Sequence, residues 1–217
     1  MASTLAPPKP QTAGAGPPPG PPGGGFGDDP QPPPQPDEAA VALRRYRTGM
    51  WLAIGGITMV FAGFTSAYVV RKGLGADWRS ISLPPLLGFN TAVLLASSVT
   101  LEAARRRSLE PAAGAWLAAT AALGALFLGG QYLAWRELAA RGVYLATNPS
   151  SSFFYLLTGA HALHLLGGVA ALFTVALRVR LQRVWRRRRA AIEATALYWH
   201  SMDALWIYVL LLLLVGR

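Results

Sequence analysis

The chain has 217 residues, 53% of them apolar and only 14% charged, with a formal net charge of +10. A soluble domain is about 25% charged, so an ordinary globular enzyme is excluded; the apolar residues fall in long blocks, as in an integral membrane protein. Cysteine is absent, which excludes disulfides, Cys-ligated zinc, iron–sulfur clusters and thiol catalysis within this chain.

Thirteen of the seventeen prolines precede Asp37, mixed with glycine in runs such as "GPPPGPPGGG". Such a segment has little to bury, and residues 1–42 are expected to form a disordered, partly polyproline-II tail before a membrane domain over 43–217. Five apolar segments follow, at about 48–70, 84–104, 112–135, 152–177 and 195–215. Each is near or above the roughly 20 residues that span the hydrocarbon core. None alternates with period two, so the expected fold is all-α: a polytopic bundle of five transmembrane helices, not a barrel.

Arginines set the expected orientation. Arg44, Arg45 and Arg47 precede the first helix, Arg105 to Arg107 follow the second, and Arg178, Arg180, Arg183 and Arg186 to Arg189 lie between the fourth and fifth. With five spans all three groups fall on one side, which places the N-terminus in the cytoplasm and the C-terminus outside. Positive charge beside apolar blocks suits membrane orientation and anionic lipid, so nucleic acid is not an expected partner. Small residues (Gly55, Gly56, Gly63, Ser97, Ser98, Gly124, Gly129, Gly130, Gly159, Gly167 and Gly168) suit helices that approach closely in lipid. Trp51, Trp116, Trp135 and Tyr144 stand near the predicted interfaces as anchors.

Ionisable and amide groups inside the segments are the candidate functional residues. The second helix holds Asn90 and Ser97, the third Gln131, the fourth His161 and His164, and the fifth His200 and Asp203, with Trp199 and Trp206 about one turn either side of the aspartate. Glu102 can pair with Arg105 or Arg106. A spacing of three puts His161 and His164 about 60° apart on one face, with Gly168 a turn beyond. A haem between His164 and His200 is one reading, and depth opposes it. His164 falls on the order of 20 Å from the cytoplasmic end of its segment, and His200 only roughly 6–8 Å. A proton relay is a second reading. Hydrogen bonds that tie helices together are a third. Neither a nucleophile elbow, a phosphate loop nor an H-E-x-x-H is present.

Four stretches come in a telling order: "GFNTAVLLASSVT", "FLGGQYLAW", "TGAHALHLLGG" and "YWHSMDALWIYVLLLLL". Together they resemble subunit III of the haem–copper respiratory oxidases, over about residues 45–217. The resemblance implies an accessory subunit with no catalytic, cofactor or metal site of its own. Haem and copper would belong to the partner catalytic subunit, which reduces O₂ to water, with cytochrome c or quinol as the donor, and pumps protons. It further implies docking on subunits I and II, bound phospholipid, and support of proton uptake. The five-helix form implies a multi-pass protein of the bacterial inner membrane. His161, His164, His200, Asp203, Asn90, Gln131, Trp199 and Trp206 carry over as motif residues that are structural, polar or lipid-facing. Ser82 is a departure, standing where family members often carry glutamate before the proline of the second helix. The alternative is a stand-alone transporter or haem-binding membrane anchor.

Overall fold

The structure is a computed structural model that describes residues 38–75, 78–181 and 188–216. The Pro/Gly-rich stretch up to residue 37 and Arg183, Arg186 and Arg187 lie outside the described residues. Among the described residues there are five helices: α1 (Glu38–Leu74), α2 (Leu86–Arg106), α3 (Ala113–Ala140), α4 (Pro149–Leu181) and α5 (Arg188–Val215). Each is long and apolar enough to cross a membrane, so the chain is an all-α, multi-pass membrane protein as its apolar blocks predict.

The helices outrun the apolar blocks, and local chemistry explains where they stop. Pro84 and Pro85 accept the first turn of α2 from Leu87 and Gly88 N–H, and a proline at a helix start gives up no needed donor. The end of α3 is a Schellman motif: Gly142 takes φ 76°, Val143 N–H donates to Leu138 O and Gly142 N–H to Ala139 O. The start of α4 is a reciprocal cap. Ser151 N–H donates to Asn148 Oδ1 at 3.0 Å, and Asn148 N–H to Ser151 Oγ at 3.1 Å. This cap opens α4 at Pro149, ahead of the apolar block expected from 152. The Ala-rich run "RRAAIEATAL" has high helix propensity and opens α5 seven residues before the expected 195. Likewise α1 begins at Glu38, inside the stretch expected to be tail.

Helices α2, α3, α4 and α5 each pack on their chain neighbour, and α5 returns to α2, which closes a four-helix ring. Outside the ring, α1 rests on α5 and α4 and, among the described residues, makes no contact with α2. One end of the ring is rich in arginine. There Arg188 donates to Glu110 O at 2.5 Å, and the end of α4 reaches the start of α3 at Gly114. Arg107 lies over the Trp116 ring at 5.4 Å. Trp51 and Tyr144 are exposed on the outside of the ring, as membrane anchors would be.

Only some of the small residues serve helix approach. A Cβ on Gly124 would lie 2.5 Å from Trp199, and one on Gly168 would lie 3.0 Å from Tyr198. Gly55, Gly56, Gly63, Gly129, Gly159 and Gly167 have nothing within 4 Å, so they do not close helix contacts among the described residues. A Cβ on Gly130 would overlap the Asn90 side chain. Gly130→Ala is therefore expected to cost about 1–3 kcal/mol by overpacking, while Gly129→Ala, which faces open space, changes little. Melting temperatures of the two purified variants check this.

Candidate functional site

The motif residues concentrate on the seam between α2 and α5. Trp206 Nε1 donates to Thr91 Oγ1 at 3.0 Å, and Trp199 Nε1 donates to Ser97 Oγ at 2.9 Å. Ser98 Oγ donates to Asp203 Oδ2 and lies 3.0 Å from His200 Nδ1. These are three rungs of one antiparallel ladder, with α2 supplying hydroxyls and α5 supplying indoles, a carboxyl and an imidazole. Hydrocarbon offers no competing partners, so such bonds fix which faces meet. The small hydroxyl side chains can do this because threonine and serine also satisfy themselves on their own helix, as Thr91 does on Leu87 O at 2.8 Å.

His161 lies at the centre of the ring. It is fully buried, 5.0 Å from the Trp206 ring and 5.9 Å from the Phe127 ring. His164, only three residues on, faces outward to α1. Its ring meets Phe61 at 5.9 Å, and its Nδ1 lies 2.7 Å from Ala160 O. Its backbone carbonyl accepts Tyr198 Oη at 2.9 Å, which ties α4 to α5. Asn90 on α2 and Gln131 on α3 are buried, and Asn90 Nδ2, both amide atoms of Gln131 and both ring nitrogens of His161 have no partner among the described residues. Further ties are Thr100 to Thr120 at 2.9 Å, Trp135 Nε1 to Thr158 Oγ1 at 3.1 Å, and Tyr208 Oη to Thr65 Oγ1 at 2.9 Å.

At the arginine-rich end Glu102 binds two cations. Arg105 reaches it through Nε at 2.7 Å and Nη2 at 2.9 Å, and Arg106 through Nε at 2.9 Å. Both pairings named from the sequence are formed. They lie one turn from Ser98 on the same face of α2, so polar groups run continuously from the helix end to Asp203.

The histidines do not fit a haem. His164 packs on α1 and His200 on α2, so the two rings lie on different sides of α5. The early start of α5 places His200 about 18 Å along its helix, counted from Arg188. Among the described residues no three His, Asp or Glu side chains group as metal ligands.

Residues 39–215 match the protein family described as cytochrome c oxidase subunit III. The chain belongs to the cytochrome c oxidase subunit III family. Among curated relatives it is 31% identical over 172 residues to the cytochrome c oxidase subunit 3 of Synechocystis sp., covering 76% of this chain and 72% of that protein. It is 31% identical over 160 residues to that of Corynebacterium diphtheriae, covering 69% and 77%. With the subunit 3 of Bacillus sp. (strain PS3) it shares 27% over 173 residues, covering 74% and 81%. Family membership makes the chain part of an oxidoreductase complex of the respiratory chain. Sequence reasoning placed the α5 residues of the seam but missed two of their α2 partners, Thr91 and Ser98. Ser98 was read only as a small residue, although its spacing of four from Glu102 puts both on one face.

Proposed function

We propose that this family member is the accessory, metal-free subunit of a haem–copper terminal oxidase that reduces O₂ to water and pumps protons. In this reading it docks on subunits I and II in the inner membrane of a bacterial cell, with the N-terminus cytoplasmic and the C-terminus outside. The stretch before α1 is a tail, and the chain from α1 onward is the membrane domain. The subunit stabilises the catalytic subunit, supports its proton uptake and holds phospholipid. The observation that carries the reading is how the motif residues are used. Trp199, Trp206 and Asp203 bind α5 to α2, and His161 packs among rings. Their work is to hold helices, as a subunit that supports a neighbour's chemistry requires.

The lipid part is supported by a groove of about 780 Å³ between the end of α1 and the start of α4. Val70, Leu74 and Phe153 give it apolar walls suited to acyl chains, and Arg71 and Asn148 line it with groups suited to a phosphate. The test is isolation in mild detergent. The chain is expected to co-purify with a haem-containing large subunit, and the preparation is expected to consume O₂ on reduced cytochrome c or quinol. If haem never accompanies the chain in any detergent that keeps it folded, the reading is wrong.

A further inference from the structure

The hydroxyls inside the ring are doubly satisfied. Thr91, Ser97, Thr100, Thr120 and Thr158 each bond a carbonyl of their own helix and a side chain of a neighbouring one. Asn90, Gln131 and His161 break this pattern. They are at most 1% exposed, yet Asn90 Nδ2, both amide atoms of Gln131 and both ring nitrogens of His161 are orphans among the described residues. A polar atom left so in a low-dielectric core is costly. For Gln131 and His161 the result does not depend on how ambiguous atoms are assigned. Turning the amide over exchanges one orphan for another, and so does moving the imidazole proton.

The three residues stand at one level of the ring. Phe127 and Trp135 lie one turn before and after Gln131 on the same face of α3, and both reach α4. The Phe127 ring is 5.9 Å from His161, and Trp135 Nε1 donates to Thr158 Oγ1 at 3.1 Å. Gln131 is thus held opposite the turn of α4 that carries Thr158 and His161. Asn90 lies against Gly130, the residue before Gln131. Its own neighbour Thr91 takes the N–H of Trp206, whose ring is 5.0 Å from His161. Along α2 and α3, Asn90 and Gln131 lie beyond the Trp206–Phe127 pair, counted from the arginine-rich end. The orphans mix donors and acceptors: two amide NH₂ groups and one ring N–H, against one amide oxygen and one bare ring nitrogen of a neutral imidazole. A metal ion takes acceptors alone, an anion takes donors alone, and acyl chains offer neither. Water both donates and accepts, and a buried water typically makes about three hydrogen bonds.

We propose that Asn90, Gln131 and His161 form a buried water-binding site inside the ring, beyond the Trp206–Phe127 pair from the arginine-rich end. The bound water joins α2, α3 and α4 through groups that the direct ladder between α2 and α5 does not use. The site belongs to this chain alone, so it stands whether or not the chain serves an oxidase.

The test uses the full chain in the assembly it forms in its own membrane. An electron cryo-microscopy map fine enough to show water between other buried groups of that assembly is read at the three side chains. The expected result is water density within about 3.2 Å of the Gln131 amide and of His161 or Asn90. A map with no such density, or one in which Gln131 and His161 bond each other directly, overturns the proposal. Gln131→Met tests the energy, because it keeps the side-chain length and removes both amide atoms. With water bound, the variant leaves that water short of partners, and the melting midpoint in detergent is expected to fall by roughly 4 °C. In a dry ring the same change removes a costly orphan amide, so a midpoint that stays level or rises also overturns the proposal. Should the variant not fold, the wild-type map alone decides.

Discussion

Trp206→Ala is expected to give the largest loss of stability of any single truncation in the bundle, about 3–5 kcal/mol. Its side chain is fully buried and meets three helices at once. The ring stands edge-on to Phe127 of α3 at 4.9 Å, lies over His161 of α4 at 5.0 Å, and donates to Thr91 of α2 at 3.0 Å. In lipid the unfolded helices stay out of water, so the loss is of packing and of one interhelical bond rather than of hydrophobic burial. Trp206→Phe separates the two, because it keeps most of the ring contact and removes only the N–H, a loss of about 1 kcal/mol. The measurement is the temperature at which half the purified protein leaves the monodisperse state. Equal midpoints for the phenylalanine and alanine variants would mean that the hydrogen bond, not ring packing, holds the centre.

The same residue shows what the sequence could and could not convey. Five long apolar blocks suffice for five helices, because backbone polar groups in lipid must be satisfied within each segment. Helix pairing is harder to read. Helices apolar on every side give no sign of which face meets which neighbour. His161 and His164 illustrate this: about 60° of rotation sends one to the ring centre and the other to α1. Helix ends were legible only where chemistry, not hydropathy, sets them. The Asn148 cap with Pro149 obeys ordinary capping rules yet lies outside its apolar block, and the arginine-rich start of α5 is invisible to a hydropathy window. Asp203 was legible as a residue with a role, because a carboxyl in a membrane segment needs a partner. Its partner was not, since Ser98 belongs to a different helix 105 positions earlier.

Asp203→Leu is expected to weaken the bundle by about 3 kcal/mol, and Asp203→Asn by much less. Asp203 is 5% exposed and takes the Ser98 proton through Oδ2. An asparagine oxygen can accept that proton in the same place, so the chain from His200 through Ser98 survives. Leucine fills similar space but accepts nothing. Ser98 must then redirect its hydroxyl, either to its own helix or to His200 Nδ1. In the second case the ring must present Nδ1 as the acceptor, and Nε2 becomes the donor. Two measurements on the two variants keep these effects apart. The melting midpoint in detergent reads the lost tie between α2 and α5, and haem retained per chain after purification reads docking. Asp203→Leu should lower both, and Asp203→Asn should hold both near wild type. If both variants match wild type in midpoint and in retained haem, Asp203 does not organise the α2–α5 seam. If the leucine variant melts early yet retains haem fully once folded, the carboxyl ties α2 to α5 without bearing on docking.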